Sequence, residues 1–402
     1  MAKLSVDQTL LKAKSHTKRG EIEEAHKLYH NVLQAFPNNG RAQKGLEALR
    51  KTKAPATNQN PPQELLDRLL GHFQNGRFDD AEKLAVSITQ KYPRHQVGWK
   101  ALGAIYLETG KTSDSLIPNQ KSVQFAPIDA EAHFSLGNTL KKLSRLDEAE
   151  ASYSQAIALK TDYAEAHNNL GNTLQELGRL DEAEASYMQA LALNPNYAKA
   201  RNNLGNTLQE LGRLDEAEAS YMQALALKPD YAEAYCNLGN ALQELGRLDE
   251  AEARYLQALA LDPGHANTHS NLGNTLQELG RLEEALASFT QAITINPNYA
   301  EAYNNLGNTL QELGRFKEAE ASFMQAIDLQ PDYTEAHRHL TLISKSEFRD
   351  DHYFEMRKIY LDANTSEEQL CQINFALAKV CDDLGDFEQA FTHYKEGNAL
   401  RK

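Results

Sequence analysis

Asparagine carboxamides are the side chains in this 402-residue chain whose type and spacing could do chemistry. Each carboxamide offers two hydrogen-bond donors and an acceptor, and these groups can pair with the backbone of an extended peptide. Because asparagine is a poor helix former, its recurrence at fixed spacing within predicted helices needs a reason. We predict a peptide-binding surface formed by Asn138, Asn168, Asn169, Asn172, Asn202, Asn203, Asn206, Asn237, Asn240, Asn271, Asn274, Asn304, Asn305 and Asn308.

Glutamates beside these asparagines favour basic or Ser/Thr-rich partner segments. They are Glu165, Glu176, Glu210, Glu233, Glu278 and Glu301. A second interpretation is that duplication copied the asparagines together with the helices that carry them. The sequence leaves both interpretations open.

No catalytic signature accompanies the asparagines. The chain has no Ser-His-Asp pattern, no HExxH or CxxC motif and no glycine-rich phosphate loop, so we predict neither an enzyme nor a cofactor. His26 and His30 lie four residues apart, but no nearby cysteine or carboxylate completes a metal site, and exposed histidines are expected. His337 and His339 are expected on different faces of one helix.

Composition excludes several classes of function. A net charge of −14 argues against general nucleic-acid binding, and no apolar run is long enough for a membrane span or a secretory signal. The three cysteines are Cys236, Cys371 and Cys381. They form neither a disulfide framework nor a zinc motif, which predicts a reducing, cytoplasmic location. Cys371 and Cys381 are expected to be partly buried in the last helix.

The asparagines lie within tandem repeats of 34 residues. The segment Asn168–Leu193 recurs letter for letter as Asn202–Leu227. Eight units fit over residues 62–333, a further unit fits residues 6–39, and a degenerate unit fits residues 371–402. Such a period indicates a stack of supersecondary units.

Each unit is predicted to be a pair of helices, here named A and B. In the unit 164–197, helix A runs over Ala164–Leu177 and ends at Gly178 in the left-handed conformation. Helix B runs from Asp181 to about Leu193, with Asp181 and Glu184 as a capping pair. Asp230 and Glu233 form the matching capping pair of a later helix A.

Small residues recur inside both helices. Gly171 in helix A costs about 1 kcal/mol relative to alanine, so its recurrence predicts close approach of helix B. Ala183 and Ala190 supply the small positions of helix B, and Tyr187 supplies the large one. Equivalent large residues are Tyr221, Tyr255, Phe289 and Phe323.

The pattern Leu170-Gly171, Leu174, Gly178, Ala183, Tyr187, Ala190 and Pro195 resembles the tetratricopeptide repeat (TPR). The resemblance implies an all-α fold, a right-handed solenoid of antiparallel helix pairs whose A helices line a concave groove. The row of asparagines is similar to that in the TPR arm of O-GlcNAc transferases. That similarity implies that the asparagines hold partner peptides.

One unit departs from the pattern, since unit 96–129 has Pro118 within helix B and Ser115 and Ser122 in place of alanine. An interior proline costs about 3 kcal/mol, but proline is tolerated where a helix begins. We expect helix B of this unit to start late, and a bend between residues 62–111 and the regular repeats is the alternative.

The ends of the chain also differ from the repeats. Residues 1–50 are predicted to form a small basic TPR-like module with a short helix around Arg41–Leu49, and residues 51–61 a linker. Residues 1–53 carry eleven basic and five acidic residues. This basic end is either a docking surface or a solvated helix face.

The tail 334–402 is predicted to be an irregular helical segment with a degenerate TPR-like cap. It is expected to contain helices over Thr334–Ser344 and Asp351–Leu361 and another that begins at Ser366. Its sequences Asp350-Asp351-His352, Phe375-Ala376-Leu377-Ala378-Lys379 and Asp383-Leu384-Gly385-Asp386 resemble the junction in bacterial TPR–sulfotransferase proteins.

The resemblances together imply a protein- or peptide-binding scaffold. We predict the recognition arm of a sulfotransferase-type enzyme whose catalytic domain is absent from this chain. The alternative is a free-standing assembly scaffold or chaperone-like adaptor.

Overall fold

The computed structural model describes residues 5–19, 21–52, 60–346 and 349–401. Within these ranges the chain forms 23 α-helices and no β-strand, which confirms the predicted all-α fold. The chain divides into two compact units, of which the first ends at Thr161 and the second begins at Asp162. Short loops join the helices, so successive helices pack as hairpins.

The first unit begins with three helices that enclose a small core around Tyr29 and Leu49. Its next helices enclose a second core around Ile88 and Ile105. The helices are α1 (Val6–Lys18), α2 (Ile22–Ala35), α3 (Gly40–Thr52), α4 (Gln63–Gln74), α5 (Phe78–Lys91), α6 (Gln96–Glu108), α7 (Thr112–Phe125), α8 (Ala130–Lys142) and α9 (Leu146–Leu159). Of the predicted linker 51–61, residues 53–59 lie outside the described residues.

The second unit contains the most regular repeats, with A helices at even numbers and B helices at odd numbers up to α19. Its helices are α10 (Ala164–Glu176), α11 (Leu180–Leu193), α12 (Ala198–Glu210), α13 (Leu214–Leu227), α14 (Ala232–Glu244), α15 (Leu248–Leu261), α16 (Ala266–Glu278), α17 (Leu282–Ile295), α18 (Ala300–Glu312), α19 (Phe316–Leu329), α20 (Thr334–Ile343), α21 (Asp351–Leu361), α22 (Glu367–Asp383) and α23 (Phe387–Leu400).

The turn between helices A and B differs from the prediction in one respect. Gly178 ends α10 with φ +73, as expected. However, α11 begins at Leu180 after Arg179, which makes no side-chain capping bond, so Asp181 and Glu184 are not a capping pair. Asp181 instead lies in the first turn, where a carboxylate interacts favourably with the helix dipole.

The predicted cap at Asp230 is also wrong. Tyr231 is the residue that precedes α14, and it forms no side-chain capping bond. The backbone N–H of Tyr231 donates to the carbonyl of Lys228 in the preceding turn. This backbone turn therefore brings the chain into α14 one residue later than the prediction.

The glycine of helix A packs against the aromatic ring of helix B in every regular repeat. A Cβ atom built on Gly171 would lie 2.7 Å from the Tyr187 ring, and one built on Gly239 would lie 2.6 Å from the Tyr255 ring. Both rings are fully buried. The predicted reason for the glycines, close approach of the two helices, is therefore confirmed.

Arginines also link successive repeats. Arg213, in the turn after α12, lies 2.7 Å from Glu184 of α11 and 2.6 Å from Glu216 of its own repeat. Arg247 repeats this arrangement with Glu218 and Glu250. Because these pairs are partly exposed, each contributes little to the stability of the fold.

Pro118 lies in the second turn of α7, so the expected late start of this helix is wrong. Tertiary contacts on both sides of the proline hold the segment helical. Ser115 Oγ lies 3.0 Å from Thr139 Oγ1, and Asn119 Nδ2 donates to the same hydroxyl at 2.8 Å. These buried contacts offset the cost of an interior proline.

Ser144 provides a test of the turn geometry. It is the one non-glycine residue with positive φ (56°) among the described residues, and it occupies the position of Gly178. Because a left-handed conformation costs a non-glycine residue about 1 kcal/mol, we expect Ser144→Gly to raise the thermal midpoint of unfolding. Differential scanning calorimetry would measure the shift. Gly178→Ser should lower the midpoint. A shift of the midpoint in the same direction for both variants would contradict this account.

The tail helices form a core of their own around Met356, Ile373 and Leu377. The predicted helix Asp351–Leu361 and the capping box of Ser366 and Gln369 are both present. Cys371 and Cys381 lie in α22, not in the last helix as predicted. The reason is that α22 is long and runs through both cysteines before Gly385 ends it with φ +75.

Candidate functional site

Most of the predicted asparagines lie on the A helices of the second unit, at intervals of 34 residues. Asn138 lies in the first unit, on α8, where its Oδ1 accepts a hydrogen bond from Tyr153 at 2.8 Å. We name the open surface that α10, α12, α14, α16 and α18 share the A-helix groove. It is defined by Asn172, Asn206, Asn237, Asn240, Asn271, Asn274, Asn305 and Asn308 and by the glutamines and glutamates beside them.

Four predicted binding residues are buried. Asn203 is 8% exposed. Asn168, Asn202 and Asn304 share one position of the repeat, with exposures of 0%, 0% and 2%. Their expected place in an open groove is therefore corrected. The physical reason is that this position lies between consecutive A helices, where Cys236 and Ser270 occupy the equivalent sites and are buried too.

The carboxamides bond to one another across the A helices. Asn203 Nδ2 donates to Asn172 Oδ1 at 2.9 Å and to Asn168 Oδ1 at 3.1 Å. The next repeats continue the pattern. Asn237 donates to Asn202 at 3.1 Å, Asn271 to Asn240 at 2.8 Å, and Asn305 to Asn274 at 3.0 Å. Part of the predicted asparagine row is thus structural, because it joins each helix A to the next.

Buried tyrosines reach the groove from the B helices. The hydroxyl of Tyr187 donates to Asn172 Oδ1 at 2.6 Å, that of Tyr221 to Asn206 Oδ1 at 2.7 Å, and that of Tyr255 to Asn240 Oδ1 at 2.8 Å. Burial raises the pKa of all three hydroxyls far above the usual value. They therefore stay protonated and remain donors.

The carboxamide nitrogens of the same asparagines are not used in this way. Nδ2 of Asn172, Asn206 and Asn240 donates to no acceptor among the described residues. Asn206 lines an open cavity of about 440 Å³, and Asn240 lines both this cavity and a neighbouring one of about 470 Å³. The groove therefore offers donors to a guest.

A row of glutamine–glutamate pairs runs beside the asparagines. Gln243 Nε2 donates to Glu278 at 2.7 Å, and Gln277 Nε2 donates to Glu312 at 2.6 Å. Gln175 and Gln209 make the same contact with Glu210 and Glu244. These four glutamates are exposed. Within the described part of the chain none of them pairs with a cation, so the groove is acidic.

The other candidate residues form no binding site within the described ranges. His26 and His30 are exposed and stack at 6.1 Å, and no group of three metal-ligating side chains was found among the described residues. Cys236 and Cys381 are buried free thiols, and Cys371 is partly buried. No described helix is long and apolar enough to cross a bilayer.

The two tail histidines contact different neighbours. His337 is buried, and its Nδ1 lies 2.8 Å from Nε2 of His352. His339 Nδ1 lies 3.0 Å from Asn304 Oδ1. The prediction that His337 and His339 occupy different helix faces is therefore confirmed.

Sequence reasoning did not find the orienting role of the tyrosines. Tyr187, Tyr221 and Tyr255 were interpreted only as large packing residues. The available signal was the change from tyrosine to phenylalanine at Phe289 and Phe323, which keeps the ring and removes the hydroxyl.

Family models identify the repeats. A tetratricopeptide repeat model matches residues 162–230, 196–263, 230–297 and 265–332, and a TPR repeat model matches residues 137–178. No curated protein matches the chain.

Three solved structures are similar to parts of this chain. YrrB, described as a TPR protein with an unusual peptide-binding site, is 27% identical over 46% of this chain and 95% of its own, with a TM-score of 0.39. PilF of Pseudomonas aeruginosa is 20% identical over 54% and 97%, with a TM-score of 0.47. The APC/C hetero-tetramer Cut9-Hcn1 is 16% identical over 84% and 76%, with a TM-score of 0.53. Residues 137–332 thus consist of tetratricopeptide repeats, and the chain is an all-α solenoid of the kind that serves as a protein-interaction scaffold.

Proposed function

We propose that this protein holds an extended, basic segment of a partner protein along the A-helix groove. The observation that carries the proposal is the set of carboxamide nitrogens at Asn172, Asn206 and Asn240, which have no acceptor among the described residues. Donors at repeated spacing suit the repeated carbonyl groups of a polypeptide backbone. They require no particular side chain of the guest.

Charge supports the basic character of the guest. Glu210, Glu244 and Glu278 each bond to a glutamine through Oε1 and have no cationic partner within the described residues. Lysine or arginine side chains of a guest would supply that partner. A Ser/Thr-rich guest with interspersed lysines would meet both the donors and the carboxylates.

Binding of a defined peptide tests the proposal. The probe is a fluorescein-labelled peptide of six Lys-Ser dipeptides, and a peptide of six Asp-Ser dipeptides tests the charge preference. Asn206→Ala together with Asn240→Ala should weaken binding of the Lys-Ser peptide by about tenfold or more, since each hydrogen bond contributes about 1 kcal/mol. Fluorescence anisotropy measures the dissociation constant, and circular dichroism checks the helix content.

The matched control is Asn196→Ala with Asn298→Ala, because both side chains are exposed in loops outside the groove. These changes should leave the dissociation constant unaltered. Equal affinity for the Lys-Ser and Asp-Ser peptides would contradict the basic guest. Unchanged binding by the Asn206 and Asn240 double variant would contradict the groove.

A narrower proposal concerns an enzyme to which this scaffold would belong. The tail resembles the junction of bacterial TPR–sulfotransferase proteins, and its helices α21 to α23 pack around their own core. This supports a recognition arm joined to a transferase in a bacterial cytoplasm. Three free cysteines suit such a reducing compartment.

The mass of the protein in its native source tests this narrower proposal. An intact mass larger than 44.9 kDa by a domain favours the recognition arm. A mass near 44.9 kDa favours a free-standing scaffold or chaperone-like adaptor.

A further inference from the structure

We infer that Tyr187, Tyr221 and Tyr255 are positioning residues that hold the groove carboxamides with nitrogen outward and thereby select guest groups that accept hydrogen bonds. Those guest groups are the carbonyl oxygens of an extended backbone. The inference rests on the proposed function and adds the polarity of recognition, which the packing role of the tyrosines does not require.

The proton of each tyrosine hydroxyl is donated mainly to the asparagine oxygen. A hydroxyl has one proton to donate. In each repeat the hydroxyl lies 2.6–2.8 Å from the asparagine Oδ1 and 3.0–3.2 Å from the Oε1 of the glutamine one turn further on. The shorter contact is the principal hydrogen bond. The asparagine oxygen therefore faces the protein interior.

In two of the three repeats, the asparagine oxygen also accepts a second hydrogen bond. Asn172 Oδ1 also accepts from Asn203 at 2.9 Å, and Asn240 Oδ1 also accepts from Asn271 at 2.8 Å. Two donors occupy both lone-pair directions of the oxygen. If either carboxamide turned over, its N–H groups would face these donors, so the orientation is fixed.

The last two regular repeats lack the tyrosine hydroxyl. Phe289 and Phe323 replace the tyrosine in the last two regular repeats and are equally buried. Asn274 keeps only the bond from Asn305, and Asn308 has no orienting bond among the described residues. Within the second unit, the donors oriented by a tyrosine therefore lie in three consecutive repeats and end before Asn274.

The spacing of the donors fits an extended guest. Packed helices lie about 8–10 Å apart, and an extended chain advances about 3.3 Å per residue. One carbonyl oxygen in about three residues would thus meet a donor. A guest of about twelve residues is long enough to contact all three oriented repeats.

The experiment compares hydroxyl removal with hydroxyl addition, using the Lys-Ser peptide as the probe. Removing the three hydroxyls together (Tyr187→Phe, Tyr221→Phe, Tyr255→Phe) should weaken binding about tenfold, because the freed carboxamides no longer hold their donors outward. Adding hydroxyls (Phe289→Tyr, Phe323→Tyr) should tighten binding severalfold by orienting Asn274 and Asn308. A purely structural role would not produce that gain.

The matched control is Tyr235→Phe, because this hydroxyl on α14 makes no hydrogen bond with a described residue. It should leave the dissociation constant and the thermal midpoint unchanged. Unaltered binding in both the triple and the double variant would overturn the inference while leaving the proposed function intact. Failure of the unmodified protein to bind the Lys-Ser peptide would overturn the proposed function, and the inference with it.

Discussion

Gly239→Val is expected to unfold the repeat formed by α14 and α15 locally, at a cost of about 3 kcal/mol. A Cβ atom at this position would lie 2.6, 2.8 and 2.9 Å from three carbons of the Tyr255 ring. The ring cannot give way, since it is fully buried and its hydroxyl is bonded to Asn240. Hydrogen exchange of α14 and α15 peptides, followed by mass spectrometry, would measure the loss of protection.

The same substitution at Gly71 is the control. No atom lies within 4 Å of a Cβ atom built there, and the residue lies inside α4. We expect Gly71→Val to change local stability by less than about 1 kcal/mol. In addition, Tyr255→Ala should relieve part of the strain of Gly239→Val, so that the two effects are less than additive. Full additivity would show that the glycine and the ring do not interlock.

The second large effect is a loss of stability at low pH in the segment formed by α20 and α21. Burial, together with the charge of His337, lowers the pKa of His352 to about 4 from its ordinary value of 6.5, although Asp350 opposes the shift. Burial also lowers the pKa of His337, whose Nε2 lies 2.9 Å from the carbonyl oxygen of Pro331. The folded segment therefore holds both imidazoles neutral.

The direction of the change in stability with pH follows from the number of protons that the folded and unfolded segments bind. Between pH 6.5 and 4 the unfolded segment binds more protons than the folded one, so stability is complete above pH 6.5 and falls as the pH is lowered. The shift of His352 corresponds to about 3 kcal/mol, reached near pH 4. Hydrogen exchange of residues 334–346 and 349–361 at pH 7.5 and pH 5, corrected for intrinsic rates, would measure it.

His352→Gln should remove most of this pH dependence. The control is His269→Gln, because His269 Nε2 lies 3.2 Å from the carbonyl oxygen of Pro263, which matches the contact of His337 with Pro331. Among the described residues, however, the ring of His269 makes no contact with a second histidine ring. Comparable pH dependence in unmodified protein and His352→Gln would refute the role of the pair.

The sequence predicts the residue contact behind the first of these predictions but not the contact behind the second. The recurrence of a glycine opposite an aromatic residue in the regular repeats, as at Gly239 and Tyr255, already indicated that helices A and B approach closely, because a helix tolerates repeated glycine only for a packing reason. The pairing of His337 with His352 had no such signal. These residues lie 15 apart in an irregular segment, and only the packing of α20 and α21 against α22 brings them together.

The ends of the helices were likewise predictable from the sequence only in part. The left-handed glycine predicted the end of α10 within one residue, because that conformation is a local property. The start of α11 at Leu180 and the helical conformation around Pro118 were not predicted. In the first case the backbone turn supplies the geometry without a side-chain cap, and in the second the hydroxyl of Thr139 holds the segment from another helix.

The sequence by itself determined the repeat, its two helices, the small and large residues that interlock and the acidic face rich in asparagine. These properties follow from local propensity and from periodicity, which a chain carries before it folds. Only the tertiary structure decided which asparagines are buried between helices and which reach the groove, because Asn168 and Asn172 differ by a single helical turn. It also decided which way each carboxamide points, since that depends on a tyrosine hydroxyl from a different helix.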